Sequence, residues 1–410
     1  MGFEKKIARV FIYIYAVLCF CQAKTLKIPI GKYNVAFIYF IYIIFAFLLM
    51  IFVFRNQYKY KINDSYTKFI TTMLVWQLFN LPFGLINGIE GWLLLTRLVV
   101  IFFVSGYMLK VYVTSMEMLK KVFLLSYLGM MLQMFLGVFE HVTGIYFWTS
   151  TKELFESHPF FMAKKYPCAM QENPNDFACL MFFLIGMSYV YFKISKKTIM
   201  KVIAILVAGV SGYLIVASDS RGILLGIVVT VAHYVLSNAV GKVKKKRILQ
   251  SCICIIIVFV FCIYRIEWFT HFFASKLDFD MSYGSEARRV ELWTLALNEF
   301  VRTVGVGTGF HVGNTHCFWI EILSESGLVV FVLLIGFLLD LYKKLTLVIS
   351  KKYIKETLLI SAKVMRSVLI GMLIVLISPA SVLNIYWIGF VFGIMAVFGS
   401  LVTKQMLEGQ

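Results

Sequence analysis

The sequence predicts an all-α fold: a polytopic integral membrane helical bundle of about twelve transmembrane helices. Two observations carry that expectation. Of 410 residues, 60% are hydrophobic and 15% charged, too little polar surface to cover a soluble chain of this size. The apolar stretches are also long and continuous rather than alternating. Backbone in hydrocarbon must satisfy its own hydrogen bonds, and long apolar runs do so as helices.

Spans are expected near residues 8–22, 34–54, 69–87, 92–109, 122–140, 176–192, 202–217, 222–240, 249–264, 316–342, 367–380 and 384–401. Charge flanks the first run and no small-residue cleavage site follows it, so it is expected to be a retained span rather than a removed signal peptide. Residues 1–410 then form a single membrane domain, with no linker, low-complexity tract or internal repeat. The segments between spans divide into two sets. With residues at span ends counted in the adjoining segment, the set that includes the N-terminus holds 27 of the 40 Lys and Arg and 6 of the 21 acids, and the opposite set 12 and 13, leaving Arg97, Glu321 and Glu325 within spans. Positive-inside bias places the basic set, and both termini, in the cytoplasm. The run Lys244-Lys245-Lys246-Arg247 then reads as an anchor to anionic lipid of the bilayer, not as a nucleic-acid site.

Six cysteines fall in spans, where the thiol acts as a small hydrophobe. Cys168 and Cys317 lie in or beside outer segments and are the two that a disulfide would join. No CxxC spacing for zinc or redox chemistry is present. The long outer loops are 141–175 and 265–315. Loops of that length in a compact domain are usually functional or disordered. In the second, Val290, Trp293, Leu297 and Phe300 repeat at helical spacing. Upstream, Trp268, Phe269, Phe272 and Phe273 suit headgroup depth. A partly helical cap on the outer leaflet is expected.

Four outer-face features are candidates for chemistry. In Ser218-Asp219-Ser220-Arg221-Gly222, an arginine at the membrane edge is either an interfacial anchor, paired with Asp219, or a functional charge. Gly222 and Gly226 permit close helix packing beside it. Arg288-Arg289 open the amphipathic helix, where cations oppose the helix dipole and a guanidinium suits phosphate; solvated surface charge is the plainer alternative. Gly305-Val306-Gly307-Thr308-Gly309-Phe310-His311 imitates a nucleotide loop, but no strand precedes it, and dinucleotide binding is rejected. His316, before a long apolar helix, suits a polar helix end or proton transfer. Gln171-Glu172-Asn173-Pro174-Asn175-Asp176 enters the sixth span, and capping explains much of it.

In order along the chain, NPNDFA (Asn173–Ala178), SDSRG, RxxxW (Arg289 to Trp293), GVGTGF, and His316 before ESGL resemble the O-antigen ligase and Wzy polymerase superfamily. The NPNDFA form resembles its teichuronic-acid and capsule polymerase branch. The motifs cover about residues 173–330, and His316 is followed by Cys317 where the superfamily usually has asparagine. The resemblance implies a GT-C-like membrane fold and transfer of a glycan from undecaprenyl diphosphate to an acceptor hydroxyl, on the outer face of a bacterial cytoplasmic membrane, without metal or other cofactor. It implies Arg221 and Arg289 as diphosphate ligands and His316 as the base or orienter of the acceptor hydroxyl. Arg288, Asn173, Asn175 and His311 are then expected to bind substrate. Partners would be the lipid-linked oligosaccharide donor, a glycan acceptor, a flippase and a chain-length regulator. Polymerase is the expected activity. A ligase acting on lipid A core or protein, and a lipid-linked oligosaccharide flippase, are the alternatives. Asp278-Phe279-Asp280 resembles a metal-binding DxD, but the first outer loop, 23–33, has no acids, and the segment is read as an ordinary acidic stretch.

Overall fold

The computed structural model describes residues 3–21, 27–30, 33–36, 38–55, 64–146, 164–171, 173–238, 246, 285–311, 315–351, 354–378 and 385–408. The expected span at 249–264, most of the basic run at 244–247, the aromatic stretch at 268–273 and the DFD segment lie outside them.

Helices stand at the other eleven expected spans. They are α1 Phe3–Leu18, α2 Ile38–Arg55, α3 Ser65–Phe79 with the short α4 Leu81–Asn87, α5 Ile89–Tyr112, α6 Met116–Thr143 and α7 Pro174–Ile194. Then follow α8 Thr198–Ala217, α9 Arg221–Asn238, the amphipathic α10 Ser285–Arg302, α11 Phe318–Ser350, α12 Glu356–Val375 and α13 Tyr386–Glu408. Among the described residues, eight of these are long and apolar enough to cross a membrane. The protein is a multi-pass helical membrane protein. One small addition to the all-α expectation is an antiparallel hairpin, β1 Lys27–Ile30 with β2 Tyr33–Ala36, paired Lys27 to Ala36 and Ile30 to Tyr33.

Three boundaries differ from expectation. The span expected at 69–87 breaks at Asn80, whose N–H reaches back to the Trp76 carbonyl before α4 starts with Pro82 in its first turn, where a missing N–H costs nothing. The inner segment expected at 343–366 is mostly helix, because α11 runs to Ser350 and α12 starts at Glu356. Hydropathy marks only the apolar middle of a helix, whereas Lys and Glu at its ends are good helix formers and extend it. Consequently Arg97 is joined by other basic side chains in spanning helices. Arg97 is exposed and lies over the Tyr39 ring at 5.7 Å. Lys110 reaches the carboxylate of Asp64 and the hydroxyl of Thr67, and Arg366 is buried.

The core is built by paired helices: α5 on α13, α7 on α8, α9 on α12, α1 on α6 and α3 on α11. The α9–α12 pair is close because a side chain at Gly226 would meet Val375 and the Gly371 backbone, and one at Gly371 would meet Gly226. That is the packing expected of small residues one turn apart in lipid. Between them these pairs bring the start of α9, the end of α12 and the start of α11 to one end of the bundle, where the Phe318 N–H bonds the Leu376 carbonyl at 3.0 Å.

Candidate functional site

The floor of this end is a break in α11. Residues Ile322–Ser326 wind as a π-turn and Gly327 follows with φ of +83°. A π-turn leaves carbonyls without their usual intrahelical donors, and the glycine loop supplies them. Thr308 N–H donates to Ser324 O at 2.8 Å and Gly309 N–H to Glu325 O at 3.0 Å, while in the other direction Leu328 N–H of α11 donates to Gly305 O of the loop at 2.9 Å. Gly307 holds φ of +90°, and a Cβ there would lie 2.5 Å from the Gly327 nitrogen, so only glycine lets the backbones approach. The loop's other side is held by Trp76, whose indole donates to Val306 O at 2.9 Å, and by Gln77, whose amide donates to Gly309 O at 2.9 Å. The glycine motif is therefore a packing device, and the N–H groups of Thr308 and Gly309 are spent on α11.

This docking presses His311 onto the π-turn. Its Nδ1 lies 2.9 Å from Glu325 Oε1, and the Glu325 side chain is fully buried. Burial opposes protonation of His311, but the Glu325 hydrogen bond and the charges of Glu325 and Glu321 outweigh it and hold the imidazole above its ordinary range. One ligand atom from each of His311, Glu321 and Glu325 lies within 4.8 Å of the others, a spacing that can hold a cation. A shared proton between His311 and Glu325 closes the same gap without one.

The helix α10 lies on this floor. Trp293 donates its indole N–H to Thr315 O at 2.7 Å. Arg289, four residues earlier and so on the same helix face, comes close enough to Cys317 to oppose the upward push that burial gives that thiol. RxxxW thus has a physical meaning: the tryptophan anchors the helix to Thr315, and the arginine stands one turn earlier on the same helix face. His316 itself is half-buried and takes the left-handed conformation, φ +54°, which non-glycine residues adopt sparingly and often at functional positions. Arg288 points elsewhere; it is exposed and pairs with Glu291 at 2.5 Å.

Arg221 opens α9 after a tight turn in which Asp219 has φ of +58° and accepts the Arg221 N–H at 3.1 Å on its carbonyl. The Asp219 carboxylate accepts from Tyr166 Oη at 2.7 Å and from Lys164 Nζ at 3.4 Å. Burial raises the Tyr166 phenol, and Arg221 is near enough to counter that. A turn away, Ser220 Oγ donates to Asn175 Oδ1 at 2.8 Å, fixing the SDSRG turn to the start of α7. Asn173 caps α7, its Oδ1 accepting from Asn175 N at 2.9 Å and Asp176 N at 3.0 Å while its Nδ2 donates to Asp176. Cys168 and Cys317 are separate, buried thiols, so the disulfide considered from sequence is not formed.

Seven residues were singled out from sequence. The segments that carry Arg289, His316 and His311 all meet the head of α11, through Trp293–Thr315 and His311–Glu325, and Arg221 opens the helix whose Gly222 packs on Ser378 at the end of α12, next to Phe318. Asn175 and Asn173 position the Arg221 turn rather than face that space, and Arg288 lies outside it. Lys164, Tyr166, Glu321 and Glu325 went unassigned. For the two glutamates the signal existed, since a carboxylate inside an apolar span is costly and functional by default.

The fold and this end define a polytopic membrane protein with arginine and histidine side chains at one end of its helical bundle. No protein-family model matches the chain. The chain is similar to the teichuronic acid biosynthesis protein TuaE of Bacillus subtilis (strain 168), 28% identical over 338 residues, a match that covers 75% of this chain and 66% of that protein.

Proposed function

We propose that the protein polymerises a cell-envelope glycan, joining undecaprenyl-diphosphate-linked oligosaccharide repeat units at the outer face of a bacterial cytoplasmic membrane. The observation that carries the reading is the joint held by Trp293 and Thr315, which ties the helix bearing Arg289 to the backbone just before His316, at the end of the bundle that also bears Arg221. The similarity to a teichuronic acid biosynthesis protein supports the same substrate class.

In this reading Arg221 and Arg289 hold the donor diphosphate. Negative charge grows on that group as the glycosidic bond to it breaks, and fixed guanidinium groups in a water-poor site stabilise it without a metal ion. His316 accepts the proton of the attacking acceptor hydroxyl. Lys164, paired with Asp219, helps hold the Arg221 turn. His311, closed onto Glu325, holds the floor.

The test is product. Purified protein given lipid-linked repeat units should make a ladder of lengths; a single transfer onto a lipid A core or protein acceptor would make it a ligase, and movement of the lipid without new bonds a flippase.

A further inference from the structure

One buried carboxylate has no part in the chemistry proposed above. Glu140 lies in the last turn of α6 and is 1% exposed. Its Oε2 accepts two backbone N–H groups, from Cys168 at 2.8 Å and from Ala169 at 2.6 Å, the first two that follow Pro167. Its Oε1 is equally buried and meets no donor among the described residues. A carboxylate in such a place is costly, and bonds from backbone N–H groups are what offset the cost. Packing alone would be served as well by an apolar side chain.

The segment that Glu140 grips, residues 164–171, is tied down along its length. Gln133 Oε1 accepts the Met170 N–H at 3.1 Å, and His141 Nδ1 donates to Lys165 O at 2.9 Å. Gln171 donates to Phe20 O at 2.6 Å and accepts from the Trp387 indole at 3.2 Å. Lys165 and Ala169 hold φ of +50° and +49°, a left-handed backbone that such residues keep only where their surroundings dictate it. Between them stands Tyr166, itself buried. Tyr146 Oη donates to the Tyr166 carbonyl at 2.8 Å, and Tyr166 Oη donates to the Asp219 carboxylate at 2.7 Å. Asp219 in turn takes the Arg221 N–H on its carbonyl. The route from Glu140 to Arg221 is therefore continuous, through the Cys168–Ala169 backbone, Tyr166 and Asp219.

We propose that Glu140 is a positioning residue for Arg221: it fixes the 164–171 segment, whose Tyr166 sets the SDSRG turn. Its consequence for donor binding rests on Arg221 holding the diphosphate, as proposed above; the coupling itself rests on the hydrogen bonds.

Two measurements on the full-length protein in nanodiscs test this, amide hydrogen exchange of residues 164–171 and 218–223, and binding of undecaprenyl diphosphate. Glu140→Met removes the acceptor, and Tyr166→Phe removes the bond to Asp219 while keeping the ring. Glu140→Met should speed exchange in both segments and Tyr166→Phe at 218–223. Each should weaken binding by about tenfold, the worth of a hydrogen bond to a charged group. Glu140→Gln keeps an oxygen for both N–H groups and should restore slow exchange and binding. Because Glu140 acts through Tyr166, the double variant should bind no more weakly than Glu140→Met. If Glu140→Met does not fold, Glu140→Asp draws the carboxylate back by a methylene and should act in the same direction. Exchange at 218–223 that stays slow while 164–171 opens overturns the proposal, as do additive losses of binding. Faster exchange at 218–223 with wild-type binding in these variants and in Arg221→Ala keeps the coupling and removes Arg221 from the diphosphate.

Discussion

Trp293 donates its indole N–H to the carbonyl of Thr315 at 2.7 Å, across 22 residues of chain. That bond joins the amphipathic α10 to the backbone immediately before His316. Trp293→Phe keeps the ring and loses the donor. A net hydrogen bond is worth about 1 kcal/mol, so the melting temperature should move little. Turnover should fall much more, by up to about 10²-fold, because misplacement of Arg289 by an ångström is enough. Thermal melts beside product gels check both halves. Equal losses of stability and activity would make the tryptophan a fold residue alone.

The His311–Glu325 pair predicts a pH dependence of stability. The folded-state pKa of His311 is raised, so its contribution is complete below the unfolded value, about 6.5, and is lost as pH rises through the folded one. The melting temperature should therefore decline as pH rises from about 6.5 through the raised folded-state value. Glu325→Gln should flatten that decline. His311→Ala should destabilise the protein at every pH, by leaving a buried carboxylate without its imidazole; a variant that melts like wild type contradicts the pairing.

Metal independence is testable on the same cluster. Activity should survive EDTA. Should EDTA abolish product and divalent metal restore it, with no restoration in Glu325→Gln, then His311, Glu321 and Glu325 are a cation site.

Sidedness follows from the charge asymmetry. Val304, 89% exposed in the loop after α10, should label from outside as Val304→Cys, and Ser350→Cys only after the membrane is opened. The reverse pattern inverts the topology.

Much of the bundle was legible because lipid imposes one rule, apolar length, on every span. The amphipathic α10 was legible from four apolar residues at helical spacing, and the α7 cap from Asn-Pro-Asn-Asp. What could not be read has a common cause, namely polar groups matched across long chain separations. Nothing local relates Asn175 to Ser220, or His311 to Glu325 through a π-turn. Arg366 was misplaced into a loop because a nearby run of lysines masks the start of α12, so a buried cation resembled a cytoplasmic one. Arg221, Arg289 and His316 were reached through the resemblance, with the physical role of Trp293 emerging only from its bond to Thr315.

The most direct measurement is polymer length from purified lipid-linked repeat units, read beside binding of a lipid diphosphate, for wild type, Arg221→Lys, Arg289→Lys and His316→Ala. Both lysine variants should lose product even where donor binding persists, since charge remains and the bidentate grip does not. His316→Ala should bind donor normally and turn over about 10²–10⁴-fold more slowly, the span of a lost general base. Wild-type ladders from all three folded variants would contradict the account.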